Sequence, residues 1–272
     1  MAPQPDDSTP AAEVVRIAAR AHERDRYLAA LLSPLAVRDD LIALAAFAGE
    51  IGRIPAFVTE PMMGRLRLQW WRERIEDGGS GGHPIAAAVL QTANRYQLPQ
   101  TRLVDLIDAH EALLDDIPFA NDAAFDAYLQ RTHGALFELD QRVRGETPQP
   151  GLIAAAAGAY GLARHLIELT ATLAQDRVLL PANRLPAGDR TMERLAPLLT
   201  ALAADARRHL ALARASLRAS RPPTRQSFLP LALVEPYLRH FERQEPGQET
   251  ATDLGPLSRV ARLWLAHWTG RI

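Results

Sequence analysis

The sequence contains no cysteine and no lysine, and each absence bears on the kinds of site that the protein can contain. Without cysteine the chain has no disulfide, no thiolate metal site and no cysteine nucleophile, which fits a reducing compartment. The 31 basic residues are all arginine, and against 32 acidic residues they leave a net charge of −1. That balance argues against a general nucleic-acid-binding protein. Genomic composition bias is the simpler explanation of the missing lysine, and phosphate recognition by the planar guanidinium is the functional one.

Long apolar runs are also missing. No stretch of about eighteen uncharged apolar residues occurs, so we predict no transmembrane helix. The nearest candidate, 151–173, is interrupted by Arg164, His165 and Glu168. The N-terminus carries acids where a signal peptide would be basic, so no signal peptide is predicted. We expect a cytoplasmic location, with peripheral contact to the inner membrane as a further option.

Apolar residues recur at three- and four-residue spacing almost throughout, which indicates helices and one all-α domain. The predicted helices cover residues 12–32, 37–54, 60–77, 84–96, 101–116, 122–144, 151–174, 192–219, 228–241 and 256–268. We expect a disordered tail over residues 1–11 and a single helical domain over 12–272. Thr59 is a predicted helix cap, and residues 244–252 form a predicted polar connection.

Several short motifs follow one another between about residue 20 and residue 240. They are Arg26-Tyr27 with LLSP, Leu66 and Leu68 before Trp70-Trp71-Arg72, His83-Pro84, Leu106 to Ala109, Tyr128 with Thr132 and Gly134-Ala135, and Gly161 to Ala163 before Arg177 to Pro181. In order and spacing they resemble the squalene/phytoene synthase family. The resemblance implies an isoprenoid-synthase-like helical bundle with a central cavity.

The family's catalysts carry two aspartate-rich motifs that bind Mg²⁺, which in turn holds the substrate diphosphates. The cation neutralises the charge that develops on the leaving group, and carboxylates must hold the cation. Aligned on Phe47, the first aspartate positions fall here at Gly52, Arg53 and Ala56. Glycine and alanine offer no metal ligand, and the fixed charge of Arg53 would repel a cation.

The rest of this turn departs from the family pattern too. Glu50 is its only carboxylate, the family's arginine falls at Gly49, and Pro55 is expected to disrupt the helix. Arg53 is predicted to hold an anionic head group without metal, or to pair with Glu168.

The second motif should lie between Gly161 and the RVLLP segment. Glu168 and Asp176 are eight residues apart there, with no acid between them. We expect His165 and Glu168 to line one wall of the cavity, and Gly52, Arg53 and Ala56 to line the other. No cofactor is expected.

A substitute metal site is the alternative to this loss. Asp105, Asp108, Glu111 and Asp115 lie on one predicted helix, and the last three fall within about 60° of one another. They would hold Mg²⁺ if the chain were active; otherwise they form a solvated face. Asp39-Asp40 is interpreted as a pair that complements a helix dipole.

Two groups of arginines suggest contacts with phosphate or lipid. Arg65 and Arg72 share a helix face beside Trp70-Trp71, where they could bind a head group or pair with Glu73 and Glu76. The 205–225 window holds Arg207, Arg208, Arg214, Arg218, Arg221 and Arg225 against Asp205 alone. This basic helix could contact an anionic membrane, or be a solvated face paired with acids elsewhere.

Three functions follow from these observations. The first is a non-catalytic relative, similar to the family branch that acts in respiratory complex I assembly. It would bind a partner protein, or an isoprenoid or lipid such as a quinone tail. The second is an active head-to-head prenyltransferase that condenses two allylic diphosphates with displaced Mg²⁺ ligands. The third is a helical adaptor with a filled core and no ligand.

Overall fold

The computed structural model describes residues 10–58, 60–115, 118–173, 177–186, 191–243 and 254–272. Within these residues the regular structure is helical, and the only β-type pairing is an isolated bridge between Phe119 and Pro181. The predicted all-α class is confirmed. The predicted tail up to residue 9, the cap at Thr59, Asp176 and the 244–252 connection lie outside the described residues.

The chain divides into two compact units. The first comprises Met1–Leu114 and Leu139–Thr147, and the second Asp115–Glu138 and Pro148–Ile272. The single domain predicted over 12–272 stays a prediction. The helices of the first half of the chain are α1 (Ala11–His22), α2 (Arg24–Leu31), α3 (Leu35–Phe57), α4 (Pro61–Asp77), α5 (Pro84–Tyr96) and α6 (Gln100–Glu111).

The second half begins with α7 (Asp122–Leu129), which continues through a π-helical segment (Gln130–Gly134) into α8 (Ala135–Val143). The remaining helices are α9 (Pro150–Leu173), a 3₁₀ turn (Ala182–Arg184), α10 (Met192–Arg218), α11 (Pro222–Ser227), a 3₁₀ segment (Leu229–Leu233), α12 (Val234–Glu242) and α13 (Pro256–Thr269).

Each unit is built around one apolar helix. In the first unit α3 packs against α1, α2, α5 and α6, and its residues 41–49 are buried on every side. In the second unit α9 packs against α10, α12 and the π-helical segment. Gly158 and Gly161 make this packing close: a Cβ at Gly158 would lie 2.8 Å from the His209 ring, and one at Gly161 would lie 2.7 Å from the His133 ring.

Two predicted helices are interrupted or reshaped in the structure. The 12–32 helix is two helices, because the backbone leaves the helical region at Glu23 (φ −130°, ψ 55°). The 122–144 helix widens into a π-helix at Gln130–Gly134, where Thr132 donates its hydroxyl to the Tyr128 carbonyl at 2.8 Å. Neither change is marked by a proline or by a change in apolar spacing.

The expected disruption at Pro55 is wrong, since α3 continues to Phe57. Proline lacks the N–H that would donate to the carbonyl four residues earlier, and its ring crowds that carbonyl. The helix ends two residues later, so little regular structure remains to be lost.

The interpretation of Asp39-Asp40 as a pair that complements a helix dipole is also wrong. Helix α3 begins at Leu35, so both residues lie beyond its first turn. The buried Asp40 carboxylate accepts hydrogen bonds from Thr92 Oγ1 at 3.1 Å, Arg95 Nη1 at 3.1 Å and Tyr96 Oη at 2.9 Å. It therefore fastens α5 to α3 in the first unit.

Candidate functional site

The predicted first-motif turn lies in the last turns of α3. Gly52 and Ala56 are exposed there, and Arg53 is half-buried. Arg53 Nη1 lies 3.2 Å from Glu50 Oε1 and 2.9 Å from His22 Nε2. Its guanidinium also covers the Phe57 ring at 4.9 Å. The only carboxylate of the turn is therefore already engaged by the turn's own arginine.

Burial and the Arg53 charge act together on the groups beside it. Burial raises the pKa of the Glu50 carboxyl, and the nearby guanidinium opposes that rise. Burial, with help from the same guanidinium, lowers the pKa of His22. A neutral His22 can accept a hydrogen bond from Arg53, so the three groups form a self-satisfied cluster without a metal.

Gly49, at the family's arginine position, is closed by a neighbouring helix. A Cβ there would lie 2.6 Å from His22 Cβ and 3.4 Å from the His22 carbonyl carbon. Carbon atoms in contact are normally about 3.5–4.0 Å apart. The end of α1 therefore occupies the space that any side chain at position 49 would need.

A pocket of about 390 Å³ opens beside this turn. Its lining combines charged and aromatic groups: Glu50, Arg53, Ile54, Phe57, Arg67, Trp70, Trp71 and His83. The sequence motifs predict only part of this set. Arg67 and His83 are not among the predicted site residues, although His83-Pro84 is one of the motifs shared with the family.

His83 has a structural role at this pocket. Its Nδ1 accepts a hydrogen bond from the Ala86 backbone N–H at 3.4 Å, which caps α5. Its ring meets Trp70 and Trp71 edge-on at 5.5 Å and 5.0 Å. Burial lowers its pKa, so the neutral form that the cap requires is favoured.

The predicted second-motif region lies on α9 in the second unit. The exposed Glu168 carboxylate pairs with Arg164, one turn earlier on the same helix. His165 Nε2 lies 2.6 Å from the Leu179 carbonyl, and the Phe125 ring packs against the imidazole at 5.0 Å. Burial lowers the pKa of His165, although the Glu168 charge and the Leu179 carbonyl oppose that shift. The predicted meeting of the two walls in a central cavity stays a prediction.

The α6 carboxylates face arginines of α4. Asp108 Oδ1 accepts from Arg72 Nε at 3.0 Å. Glu111 lies 3.6 Å from Arg72 and 3.7 Å from Arg65. Arg65 and Arg72 do share a face, as predicted, and both pair with carboxylates of α6. The head group proposed for them would have to displace these carboxylates.

The four residues of the predicted substitute Mg²⁺ site do not lie on one helix. Helix α6 ends at Glu111, so Asp115 lies beyond the helix that was predicted to carry all four residues. Asp105 pairs with Arg102 at 3.2 Å, on its own helix. In the described part of the chain, no group of three or more acidic or histidine side chains could hold a metal ion.

The basic 205–225 window is not one helix, because α10 ends at Arg218. Arg207 pairs with Glu235 at 3.1 Å and Glu242 at 2.6 Å, and Arg208 pairs with Asp205 at 2.6 Å. The first arginines of the window therefore pair with acids of the fold, which is the alternative to membrane contact. The arginines that follow bond mainly to backbone carbonyls.

In the part of the chain that the structure describes, one helix is long and apolar enough to be compared with a membrane span. It is the 150–169 part of α9, and 78% of its apolar stretch is buried inside the fold. Core helices of globular proteins have the same length and composition, so this feature is weak evidence for a membrane span.

Comparison with known proteins identifies the family. The model of the squalene/phytoene synthase family matches residues 19–259. The chain is 28% identical to NADH dehydrogenase (ubiquinone) complex I assembly factor 6 of Homo sapiens over 129 residues, which are 46% of this chain and 39% of the human protein. The match to the Bos taurus protein has the same coverage at 30% identity. These matches span about two fifths of the length of either relative.

A longer match links the chain to the Mus musculus assembly factor 6. It is 24% identical over 264 residues, covering 90% of this chain and 79% of the mouse protein.

Solved structures share the fold. Squalene synthase HpnC from Alicyclobacillus acidocaldarius superposes with a TM-score of 0.69 at 19% identity, covering 86% of this chain and 94% of that one. A dehydrosqualene synthase solved with a ligand gives a TM-score of 0.72 at 12% identity, covering 95% and 96%. At these identities the likeness shows the fold alone, and it confirms the predicted isoprenoid-synthase-like helical architecture.

Proposed function

Because the chain belongs to the squalene/phytoene synthase family, we propose that it is a non-catalytic member that acts by binding, as a factor in respiratory complex I assembly. One observation carries the proposal of inactivity. At the predicted first-motif turn, Glu50 is the sole carboxylate, and it pairs with Arg53 at 3.2 Å. Gly52 and Ala56 supply no ligand.

The chemistry of prenyl condensation explains why this matters. Mg²⁺ binds oxygen ligands with near-octahedral geometry and usually needs carboxylates to hold it beside a diphosphate. Here a cation would have to take Glu50 from a permanently charged guanidinium within hydrogen-bonding distance. Repulsion by Arg53 would oppose the metal at the same time. We therefore expect no cofactor at this turn.

The names of the similar proteins support the assembly role. The human, bovine and mouse relatives are each named as complex I assembly factor 6. Because the human and bovine matches cover 39% of those proteins, the role is transferred to this chain as a proposal. A location at the inner face of a respiratory membrane follows from it.

The pocket beside Arg53 supports a binding role for an isoprenoid or lipid with an anionic head. Arg53 and Arg67 stand beside Ile54, Phe57 and the tryptophans, so charged and apolar groups are presented together. A head-group oxygen could replace Glu50 on Arg53, because charge-assisted hydrogen bonds to arginine need no metal.

Turnover by the purified protein tests inactivity directly. The protein is incubated with farnesyl or geranylgeranyl diphosphate and Mg²⁺, and diphosphate release is measured beside an active squalene synthase. We expect no release above that of heat-inactivated protein. Robust Mg²⁺-dependent release would overturn the proposal and favour the active prenyltransferase.

A pair of substitutions tests the reason for inactivity. Gly52→Asp with Ala56→Asp should leave the protein inactive while Arg53 remains, because its charge still occupies the metal position. Calorimetric titration with Mg²⁺ gives a second readout, and we expect no binding heat. Activity or tight Mg²⁺ binding in this double variant would contradict the role given to Arg53.

The assembly role is tested in the native host. Deleting the gene should reduce assembled complex I and its NADH oxidation in isolated membranes, and the wild-type gene should restore both. Normal complex I in the deletion strain would overturn the assembly role without affecting the turnover result.

A further inference from the structure

Helix α13 presents its apolar side outward. The outward residues follow helical spacing, at i, i+3, i+7, i+8 and i+11: Leu257, Val260, Trp264, Leu265 and Trp268. Leu257 is 85% exposed, Trp268 71% and Trp264 52%. A surface helix of a globular protein normally turns such a stripe towards the core. This helix therefore exposes a contiguous face that water solvates poorly.

The inner side of α13 fixes that orientation. It consists of Arg259, Leu263 and Ala266, and Arg259 is fully buried. The guanidinium donates to the Tyr237 hydroxyl at 3.2 Å, while the helix packs on the Leu229–Leu233 segment. If the helix rotated to bury its apolar stripe, the Arg259 guanidinium would lose its hydrogen bond to Tyr237, and breaking a buried charged contact costs free energy. The outward face is thus held in place by a polar anchor.

The outward face has the composition of an interfacial helix. Trp264 and Trp268 stand one turn apart with ring centroids 5.9 Å from each other. Tryptophan is enriched where a membrane meets water, because its ring is apolar and its N–H still needs a polar partner. Leucine and tryptophan on one face with arginine beside them is the pattern of helices that lie in that interface.

Positive charge surrounds the C-terminal end of the same helix. A Cβ at Gly270 would lie 3.2 Å from Arg225 Nη1, so this arginine stands directly beside the end of α13. Arg225 and Arg218 donate to backbone carbonyls of α10, and among the residues that the structure describes neither pairs with an aspartate or glutamate. Arg262 and Arg271 add to them from α13 and its end.

The chain segments that carry these arginines contain no acidic side chain. Residues 206–234 and 254–272 contain no aspartate or glutamate. An apolar helical face bordered by uncompensated arginines is complementary to a bilayer that carries anionic lipid. A protein partner or a second copy of the chain would need acids to meet the same arginines.

We propose that α13 is a membrane-docking helix that lies in the interface of an anionic bilayer, with Trp264 and Trp268 inserted and the neighbouring arginines on the head groups. The surface lies on the second unit, and the turnover assay concerns α3 in the first. The two proposals can therefore fail separately.

Flotation with vesicles tests the proposal. The full chain is mixed with vesicles of phosphatidylcholine alone or of phosphatidylcholine with phosphatidylglycerol, and the floated fraction is measured. We expect flotation with the anionic vesicles, weakened by salt. Trp264→Ala/Trp268→Ala should reduce the partition coefficient about tenfold or more. Arg262→Gln/Arg271→Gln should reduce it about fivefold per arginine.

The matched control is Met62→Ala/Leu66→Ala, which removes two large apolar side chains of similar exposure and equal spacing from α4. It should float like the wild type, and circular dichroism should show all variants folded. Absence of flotation with anionic vesicles, or equal flotation of the tryptophan variant, would overturn the proposal. A third outcome would also overturn it: the wild type does not bind vesicles but forms a dimer or a complex with another protein, and the tryptophan variant does not form it.

Discussion

Replacing Gly49 and Gly52 with alanine, one at a time, should move the stability of the protein in opposite directions. Both glycines lie in α3, three residues apart, and both receive the same added methyl group. A Cβ at Gly52 would have His110 Nε2 as its nearest neighbour at 3.6 Å, an ordinary contact. A Cβ at Gly49 would lie 2.6 Å from His22 Cβ.

The magnitudes follow from these distances. At the exposed Gly52, alanine should raise the free energy of unfolding by about 0.5–1 kcal/mol, since it costs less backbone entropy in a helix. At Gly49 the same gain is outweighed by overpacking, which costs about 1–3 kcal/mol. The upper end of this overpacking cost applies, because the opposing atoms are the Cβ and backbone of His22, which move only when the end of α1 moves. The two variants should therefore differ by about 3 kcal/mol, or about 6–12 °C in Tm.

Urea unfolding followed by circular dichroism measures both free energies. A second-site variant, His22→Gly, removes the opposing Cβ and should recover about 2 kcal/mol of the Gly49→Ala loss in a double-mutant cycle. Equal effects of the two glycine substitutions, or a cycle with no coupling, would refute the close contact between α1 and α3.

Two further predictions concern stability and its pH dependence. Asp40→Ala should lower the free energy of unfolding in urea by about 3 kcal/mol, because Thr92 is left buried without its acceptor. The control Asp39→Ala, at an exposed position, should change it by about 0.5 kcal/mol or less. Equal losses would contradict the role of Asp40. Burial holds the pKa of His165 in the folded protein below 6.5. The neutral imidazole therefore contributes fully to the free energy of unfolding above that pH, and this contribution declines as the pH falls towards the folded pKa. His165→Gln, which keeps a donor for the Leu179 carbonyl, should flatten the stability profile in that window; an unchanged slope would contradict the assignment.

Most helices could be predicted because their apolar spacing is a local property of the chain. The predictions failed where tertiary contacts reshape a periodic segment. The break at Glu23 and the π-helical turn at Gln130–Gly134 carry no proline. Helix α3 continues past Pro55, but only for two residues. Periodicity reports which residues are apolar, and it does not report how a neighbouring helix bends the backbone.

The candidate site divides in the same way. The motif alignment found Arg53 and Glu50, because their spacing within one helix is fixed by the sequence. It could not find that His22 completes their cluster or that Arg67 and His83 share their pocket. Those residues come from other helices, and their approach depends on packing between segments far apart in the chain.

By itself the sequence determined that the chain is helical, which family it resembles, and that the predicted first-motif positions hold Gly52, Arg53 and Ala56. The chemistry of a side chain and the helical repeat are local, so neither needs a fold to be read. Only the tertiary structure decided which groups meet across helices: Arg53 with His22, and Arg72 with Asp108. It also decided that the tryptophans of α13 face outward, because the buried Arg259 on the opposite side of the helix is held by Tyr237, and no local pattern encodes that partner.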